Sequence, residues 1–183
     1  MILNSRNNLF DFRFPKNFIP KEVAEKYKKY LHKIPGNMLE NPIDFINYTI
    51  QEVNLPGISF DPVTQADNDG TTRYHRGRLP IQNLIERQFT VKFQLLDAYL
   101  NYWILTDTLL FYYADETPDK YIPDVKLRIL DAEGLGVASI GFEKPIMNSI
   151  SDLNLNLAEN VAEFNTFEVN FYYNMFNIKI DLD

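Results

Sequence analysis

The chain has 183 residues, a formal net charge of −7 and no cysteine. Its length suits one domain with a sizeable hydrophobic core, and the lack of cysteine excludes a disulfide framework, a thiolate metal site and a Cys nucleophile. The N-terminus MILNSRNN has neither the basic start nor the apolar stretch of a signal peptide, and no run reaches the length of a membrane span. We therefore expect a cytoplasmic protein without a membrane partner, unless it travels as part of something larger.

Aromatic residues are abundant, with 14 Phe, 11 Tyr and one Trp, and their alternation with polar residues favours β-sheet. The charge is unevenly distributed. Residues 1–35 hold eight basic residues against three acidic ones, a balance of +5, whereas residues 36–183 hold ten against 22, a balance of −12. Such an acidic body repels nucleic acid rather than binding it. A solvated acidic surface without a specific role explains the same balance.

The N-terminal third begins with a predicted strand at 8–15, NLFDFRFP, in which phenylalanine alternates with charged residues. A lysine-rich helix is predicted for 20–33. The apolar stripe of this helix comprises Val23, Tyr27, Tyr30 and Leu31. Its lysine face suits either plain solvation or an anionic partner. Asn41 before Pro42 is typical of a helix start and predicts a second, short helix.

A strand predicted at 49–55 ends in the turn LPGI at 55–58. We expect two parts of the chain, a strand and helical extension over 1–47 and a β domain over 48–183.

Residues 61–80 form the longest stretch without apolar periodicity, and a loop of this length in a compact domain is functional or disordered. Asp67, Asp69 and Gly70 superficially resemble a calcium loop, but the glutamate required later is missing, which excludes an EF-hand. The basic cluster with one tyrosine is a weak nucleic-acid signal. We favour an arm that contacts another subunit. Its candidate contact residues are Asp61, Gln65, Asp69, Arg73, Tyr74, Arg76 and Arg78.

The segment 88–103, QFTVKFQLLDAYLNYW, predicts a strand that leads directly into a helix. Apolar residues alternate up to Leu95, and the period changes at Asp97, a favourable N-cap. The only Trp follows in the helix. The residues predicted to form the core together are Phe89, Phe93, Trp103, Phe167 and Phe171.

The C-terminal half predicts a hairpin and a final strand. Residues 125–129 alternate, the turn DAEG at 131–134 follows, and 137–142 return as the partner strand. Residues 145–151 are expected to be a connection, and the leucines at 153–157 alternate with asparagines. The last strong strand is predicted at 166–173.

Sequence motifs for catalysis or cofactor binding are absent. There is no phosphate-binding glycine loop and no Ser in a nucleophile elbow, and His32 and His75 lie far apart in the sequence. Asp97 and Asp107 could in principle serve as acid and base, yet nothing in their spacing selects them. We expect no catalytic, metal or cofactor site and no enzymatic activity.

The order of these elements resembles the tail-tube proteins of contractile-tailed bacteriophages, which are similar to the ring-forming tube protein of type VI secretion systems. The resemblance covers roughly residues 45–180. It rests on the turn LPGI and the long polar loop, the strand–helix unit, the hairpin cadence KLRILDAEG at 126–134 and the closing strand TFEVNFYY at 166–173. The helices over 20–47 exceed a minimal tube subunit, so a main tube, a tube-initiating baseplate ring and a related tail adaptor all remain open.

The resemblance implies an α+β, mainly β fold: an antiparallel β-sandwich or small barrel flanked by a helix, with a long arm loop and an N-terminal helical extension. It further implies a structural virion protein that forms rings of six copies in the tail, after assembly in the host cytoplasm. The implied partners are the protein itself and the sheath, baseplate and tape-measure proteins. DNA is expected to pass through an acidic lumen without specific binding, and no cofactor is implied.

Two other functions fit the sequence. A monomeric ligand-binding β-barrel is compatible with the aromatic-rich strands. An enzyme acting through two carboxylates would need a cleft that separates their pKa values. The oligomeric state distinguishes the first from a ring-forming protein, since rings or tubes exclude a stable monomer with a closed pocket.

Overall fold

A computed structural model of the chain describes residues 9–34, 38–55, 63–75, 88–114, 121–153 and 165–180. These ranges contain three α-helices: α1 Lys21–Leu31, α2 Pro42–Tyr48 and α3 Leu100–Ala114. They contain ten strands: β1 Phe10–Arg13, β2 Ile50–Asn54, β3 Val63–Ala66, β4 Thr72–His75, β5 Gln88–Gln94, β6 Val125–Leu130, β7 Gly136–Glu143, β8 Ile146–Ile150, β9 Thr166–Tyr172 and β10 Met175–Ile180. The predicted α+β, mainly β class is confirmed.

Two four-stranded sheets form the body of the fold. The first has the order β1-β6-β7-β10 and the second the order β2-β5-β9-β8, and their strand pairs are antiparallel. Strands β3 and β4 pair only with each other among the described strands. No sheet of the described residues closes into a barrel. Of the two predicted architectures, the structure therefore has the open sandwich.

The core lies between the two sheets and is built from phenylalanine. In the β5–β9 ladder, Phe89 lies opposite Phe171 and Phe93 opposite Phe167, with ring centroids 5.0 and 5.2 Å apart. All four side chains are buried. Phe89 also stacks on Phe142 of the first sheet at 4.4 Å. Each such side chain contributes about 1.5–3 kcal/mol through burial of its apolar surface.

The N-terminal residues belong to this same core. Phe14, just after β1, stacks on Phe18 at 4.2 Å and lies 5.5 Å from Phe171. The Asn47 side chain at the end of α2 accepts a hydrogen bond from the Phe14 N–H at 2.8 Å and donates one to its carbonyl at 3.2 Å. The described residues of 1–47 therefore pack in one core with described residues of 48–183.

The junction between β5 and α3 differs from the prediction. The α-helix begins at Leu100 rather than at Asp97, after a 3-10 turn over Asp97–Tyr99. Ala98 and Tyr99 have φ values of 60° and 54°, in the left-handed region that only glycine enters at little cost. The fully buried Asn101 side chain bridges this turn, donating to the Gln94 carbonyl at 2.6 Å and accepting from the Leu96 N–H at 3.4 Å. Of Asp97, the structure describes only the backbone.

The prediction that Trp103 belongs to the core is wrong. Its side chain is 45% exposed, and the preceding Tyr102 packs against the core instead, 5.3 Å from Phe167. Helix α3 is apolar on nearly all sides, so its sequence alone does not indicate which face turns inward.

Strands β8 and β10 lie where no strand was expected. Strand β8 occupies the predicted connection over 145–151, and β10 follows the strand that was expected to be the last. The register of β8 breaks between Met147 and Ser149. The alternation predicted at 153–157 lies mostly outside the described residues, and Leu153 belongs to no helix or strand.

Candidate assembly surfaces

Strand β10 leaves an apolar surface uncovered at one edge of the first sheet. Among the described strands it pairs only with β7, and the register places Ile178 beside Ile140, in the row that continues to the buried Leu127 and Phe12. Nevertheless Ile178 is 60% exposed, and Ile180 on the same face is 66% exposed. We call Ile178 and Ile180, with the open backbone edge beside them, the β10 corner. An open edge with apolar side chains is a template for another chain.

The β10 corner is exposed because the first sheet extends beyond the second. Phe89, at the start of β5, contacts Phe12 and Phe142. The next row towards the β6–β7 turn, with Phe10 and Ile129 at its other end, is only partly buried. A side chain on the core face of a sheet that remains exposed needs a covering surface from elsewhere.

The predicted arm is a two-stranded hairpin over 63–75 rather than a loop. Its side chains are exposed apart from the half-buried Asp67, which pairs with Arg73 at 2.6 Å. Gly70 turns the chain with φ +81°. Hydrogen bonds from Thr71 lower the pKa of the Asp69 carboxyl.

Of the predicted contact residues, four lie on this hairpin: Gln65, Asp69, Arg73 and Tyr74. Asp61, Arg76 and Arg78 lie outside the described residues. Strands β3 and β4 form their own ladder, so the hairpin over 63–75 needs no strand from a neighbour to form. Its exposure remains as the feature that suits a contact.

A groove of about 510 Å³ lies between α1 and α3. Its walls include Tyr30, Lys33 and Ile34 from α1 and the residues after it, and Leu100 and Trp103 from α3. The left-handed Ala98 also lines it, so the strained turn shapes this surface. We call it the α1–α3 groove.

Polar contacts beside the α1–α3 groove hold the two helices together. The Asp107 carboxylate of α3 accepts a hydrogen bond from the Tyr27 hydroxyl at 2.7 Å and pairs with Lys26 at 2.5 Å. Burial, then the bond to Asp107, raises the pKa of Tyr27 to about 12. Burial opposes ionisation of Asp107, but Lys26 and Tyr27 together hold the pKa of that carboxyl below its usual value. Asp107 thus has a structural explanation that needs no catalytic role.

The described residues offer little for metal chemistry. In the ranges that the structure covers, no three side chains of His, Cys, Asp or Glu converge to hold a metal ion. His32 and His75 are both exposed, on α1's C-terminal side and on the arm. None of the described helices is long and apolar enough to cross a bilayer.

Sequence reasoning did not find the β10 corner or the α1–α3 groove. The alternation of Phe176, Ile178 and Ile180 with Asn177 and Lys179 is a period-two signal that could have revealed β10. The groove joins residues about seventy positions apart, and no local pattern reports such a pairing.

Structural comparison finds proteins of contractile injection systems. A protein of the anti-feeding prophage baseplate, determined by cryo-EM with six-fold symmetrisation, is 11% identical over 98% of this chain and 97% of its own length, with a TM-score of 0.53. A chain of an extracellular contractile injection system sheath–tube complex is 11% identical over 72% of this chain and 81% of its own, with a TM-score of 0.47. Hcp1 from Flavobacterium johnsoniae is 10% identical over 72% of this chain and 86% of its own length, with a TM-score of 0.35.

No protein-family model matches the sequence, and no curated protein matches it. The predicted resemblance to tail-tube proteins is confirmed at the level of the fold.

Proposed function

We propose that this protein is a structural subunit that assembles into six-membered rings of a contractile tail, at the baseplate end of the tail tube. The baseplate position is favoured because a protein of similar fold, whose alignment covers 98% of this chain at a TM-score of 0.53, comes from a six-fold symmetrised baseplate. The neighbouring components would be sheath, baseplate and tape-measure proteins, and the location would be the tail of a virion, after assembly in the host cytoplasm.

The observation that carries the proposal is the β10 corner. A lone subunit exposes Ile178 and Ile180 on the core face of a sheet, at an edge with which no further described strand pairs. Pairing this edge with a strand of the next copy extends the ladder and covers the two isoleucines. Repeated around a closed ring, the same contact removes every such edge.

The arm supplies a second contact between copies. The hairpin over 63–75 exposes Val63 and Tyr74 by 55% and 70%, and apolar side chains at such positions stabilise an interface when a neighbour covers them. The basic residues Arg76 and Arg78 follow it in the sequence, and the body beyond residue 35 carries a balance of −12. A second copy is therefore an electrostatically suitable partner for the arm.

The outer face of the second sheet suits the lumen of such a ring. Its central row pairs Glu52, Lys92 and Glu168. The adjacent row has the amide and hydroxyl groups of Asn54, Thr90 and Asn170. This surface has no cluster of cations among its described residues that would hold phosphate groups, so DNA would pass through without specific binding.

The outer face of the first sheet is different, because it carries several cations. They are Arg13, Lys126, Arg128 and Lys179. A surface of this kind in the lumen would retain DNA, so we place it towards neighbouring proteins.

The two rival functions find less support. A monomeric ligand-binding barrel needs a closed barrel, and the described sheets are open. An enzyme with Asp97 and Asp107 as a pair would need both carboxylates free for chemistry, whereas Asp107 is held by Lys26 and Tyr27. The proteins of similar fold are structural components, which fits a non-enzymatic role.

Light scattering on a size-exclusion column and negative-stain imaging test the proposal. The unmodified protein should form six-fold rings as its concentration rises. Ile178→Lys should remain a folded monomer, because it places a charge in the covered interface. Leu110→Lys is the matched control, since Leu110 on α3 is 59% exposed against 60% for Ile178, and it should form rings normally. A protein that stays monomeric at every concentration refutes the proposed function, and rings of Ile178→Lys refute the β10 contact.

A further inference from the structure

We propose that the α1–α3 groove receives the turn between β6 and β7 of a second copy of this chain, so that copies join head to tail. The inference rests on the proposed function to the extent that copies assemble at all. It assigns a contact distinct from the β10 corner, with its own residues on both sides.

The groove combines an apolar floor with a cationic rim. Leu100, Ile34 and the 45% exposed Trp103 provide the apolar surface. On the rim, the ammonium group of Lys33 lies 5.8 Å from the ring centre of Tyr30, and both residues line the groove. None of the described residues that line the groove is acidic, and Asp107, which contacts Tyr27 beside it, is already paired with Lys26. The groove therefore fits a short segment with an apolar side chain next to an unpaired carboxylate.

The β6–β7 turn is such a segment. Leu135 is 62% exposed, and Glu133 beside it is exposed. The Asp131 carboxylate accepts hydrogen bonds from the N–H groups of Glu133 and Leu135 at 2.9 and 2.8 Å, and Gly134 takes a φ of +86°. These bonds fix the turn before binding, which reduces the entropy lost on association.

The arm fits the groove less well, although its turn is also acidic. Asp67 at that turn is paired with Arg73, and the exposed Val63 and Tyr74 lie at the opposite end of the hairpin. No apolar side chain stands next to its remaining carboxylate, Asp69, in the turn 67–70.

The groove and the β6–β7 turn lie at opposite ends of the sandwich. The Leu130 N–H at the turn donates a hydrogen bond to the carbonyl of Leu9, just before β1 begins, so the turn lies at the N-terminal end of β1. Strand β5 runs in the same direction as β1, because Phe89 lies near Phe12 and Phe93 near Phe14. Helices α1 and α3 follow the far ends of these two strands. A contact between opposite ends of one molecule repeats from copy to copy and stacks them in one direction.

The test exchanges the charges and uses Trp103 as the reporter, since it is the only tryptophan of the chain. Lys33→Glu and Glu133→Lys should each weaken stacking about tenfold, because each replaces an attraction by a repulsion at the contact. The protein carrying both exchanges should stack within about threefold of the unmodified one, because the pair is restored with reversed sign. Lys28→Glu, on α1 but outside the groove, is the control and should stack normally. Trp103 emission should shift to the blue on stacking only where the contact forms.

Three results would overturn the inference. Rings that stack while Lys33→Glu behaves like the control, with unchanged Trp103 emission, would refute this contact and leave the proposed function standing. Loss of stacking in both single variants without recovery in the double variant would show that the turn is not the occupant. A protein that never leaves the monomeric state would refute the proposed function, and this contact with it.

Discussion

Asn101 is the buried polar side chain on which the turn between β5 and α3 depends, and replacing it by leucine should destabilise the protein. The amide is fully buried, and its two bonds reach backbone groups on the strand side of the turn, at Gln94 and Leu96. Leucine has the same branching as asparagine, with methyl groups in place of the amide oxygen and nitrogen, so Asn101→Leu creates no cavity. It removes both hydrogen bonds from a turn that already contains left-handed Ala98 and Tyr99.

The expected loss of stability follows from the two backbone groups that no longer have a hydrogen-bond partner. An unsatisfied buried donor or acceptor costs about 1–3 kcal/mol. The bond to the Gln94 carbonyl is short, at 2.6 Å, whereas the bond from the Leu96 N–H is long, at 3.4 Å, so the second group contributes towards the low end. We expect Asn101→Leu to lower the free energy of unfolding by about 2–4 kcal/mol.

Urea denaturation followed by far-UV circular dichroism measures this loss. Thr108→Val is the matched control, because Thr108 is also buried on α3 and its hydroxyl donates to the Ile104 carbonyl of its own helix at 2.7 Å. That carbonyl keeps its helical partner, so the control should lose less than about 1 kcal/mol. If Asn101→Leu lost no more than Thr108→Val, the amide would not be what holds the turn.

Three further predictions concern the core, the helix contact and the arm. Phe93→Ala should lower the free energy of unfolding by about 3–5 kcal/mol in the same assay, because it empties a fully buried site against Phe167; a loss below about 1 kcal/mol would contradict the core packing. The pKa of Tyr27 is raised to about 12, so the stabilising effect of its hydroxyl is complete below about pH 10 and is lost as the pH rises towards 12. The difference in free energy of unfolding between the unmodified protein and Tyr27→Phe should therefore narrow between these two pH values. A difference that stays constant would show that ionisation of Tyr27 is not coupled to folding. Arg76→Glu combined with Arg78→Glu should leave the fold intact and block ring closure or stacking in negative-stain images, whereas normal tubes after deletion of 68–78 would show that the arm is dispensable.

The strongest period-two segments could be predicted from the sequence. Strands β5 and β9 each bury one face, so Phe89 and Phe93 on β5 and Phe167 and Phe171 on β9 stand out at alternate positions. The β6–β7 hairpin is equally clear, because its turn has the residues that such a turn requires. In these segments the local pattern and the tertiary environment agree.

The orientation and start of α3 and the hairpin over 63–75 could not be predicted, because they depend on tertiary packing or lack a local sequence pattern. In α3, apolar residues surround the helix, so the inward position of Tyr102 and the outward position of Trp103 follow from what the sheets and α1 offer. The helix starts after Ala98 and Tyr99 because Asn101 stabilises a conformation that alanine and tyrosine seldom adopt. The hairpin over 63–75 has both faces exposed, and a strand without a buried face shows no alternation.

The single pairing of β10 also determines how fast its amide protons exchange with solvent. In an antiparallel edge strand, every second residue directs its N–H away from the neighbouring strand, so in β10 these amides face away from β7. In the free subunit, those of them that have no other partner exchange from the folded state, without any opening of the sheet. When a strand of another subunit pairs with β10 on that side, these amides exchange only after the subunit interface opens. The decrease in the exchange rate of these amides on assembly would therefore measure the lifetime of the subunit interface separately from the stability of the fold.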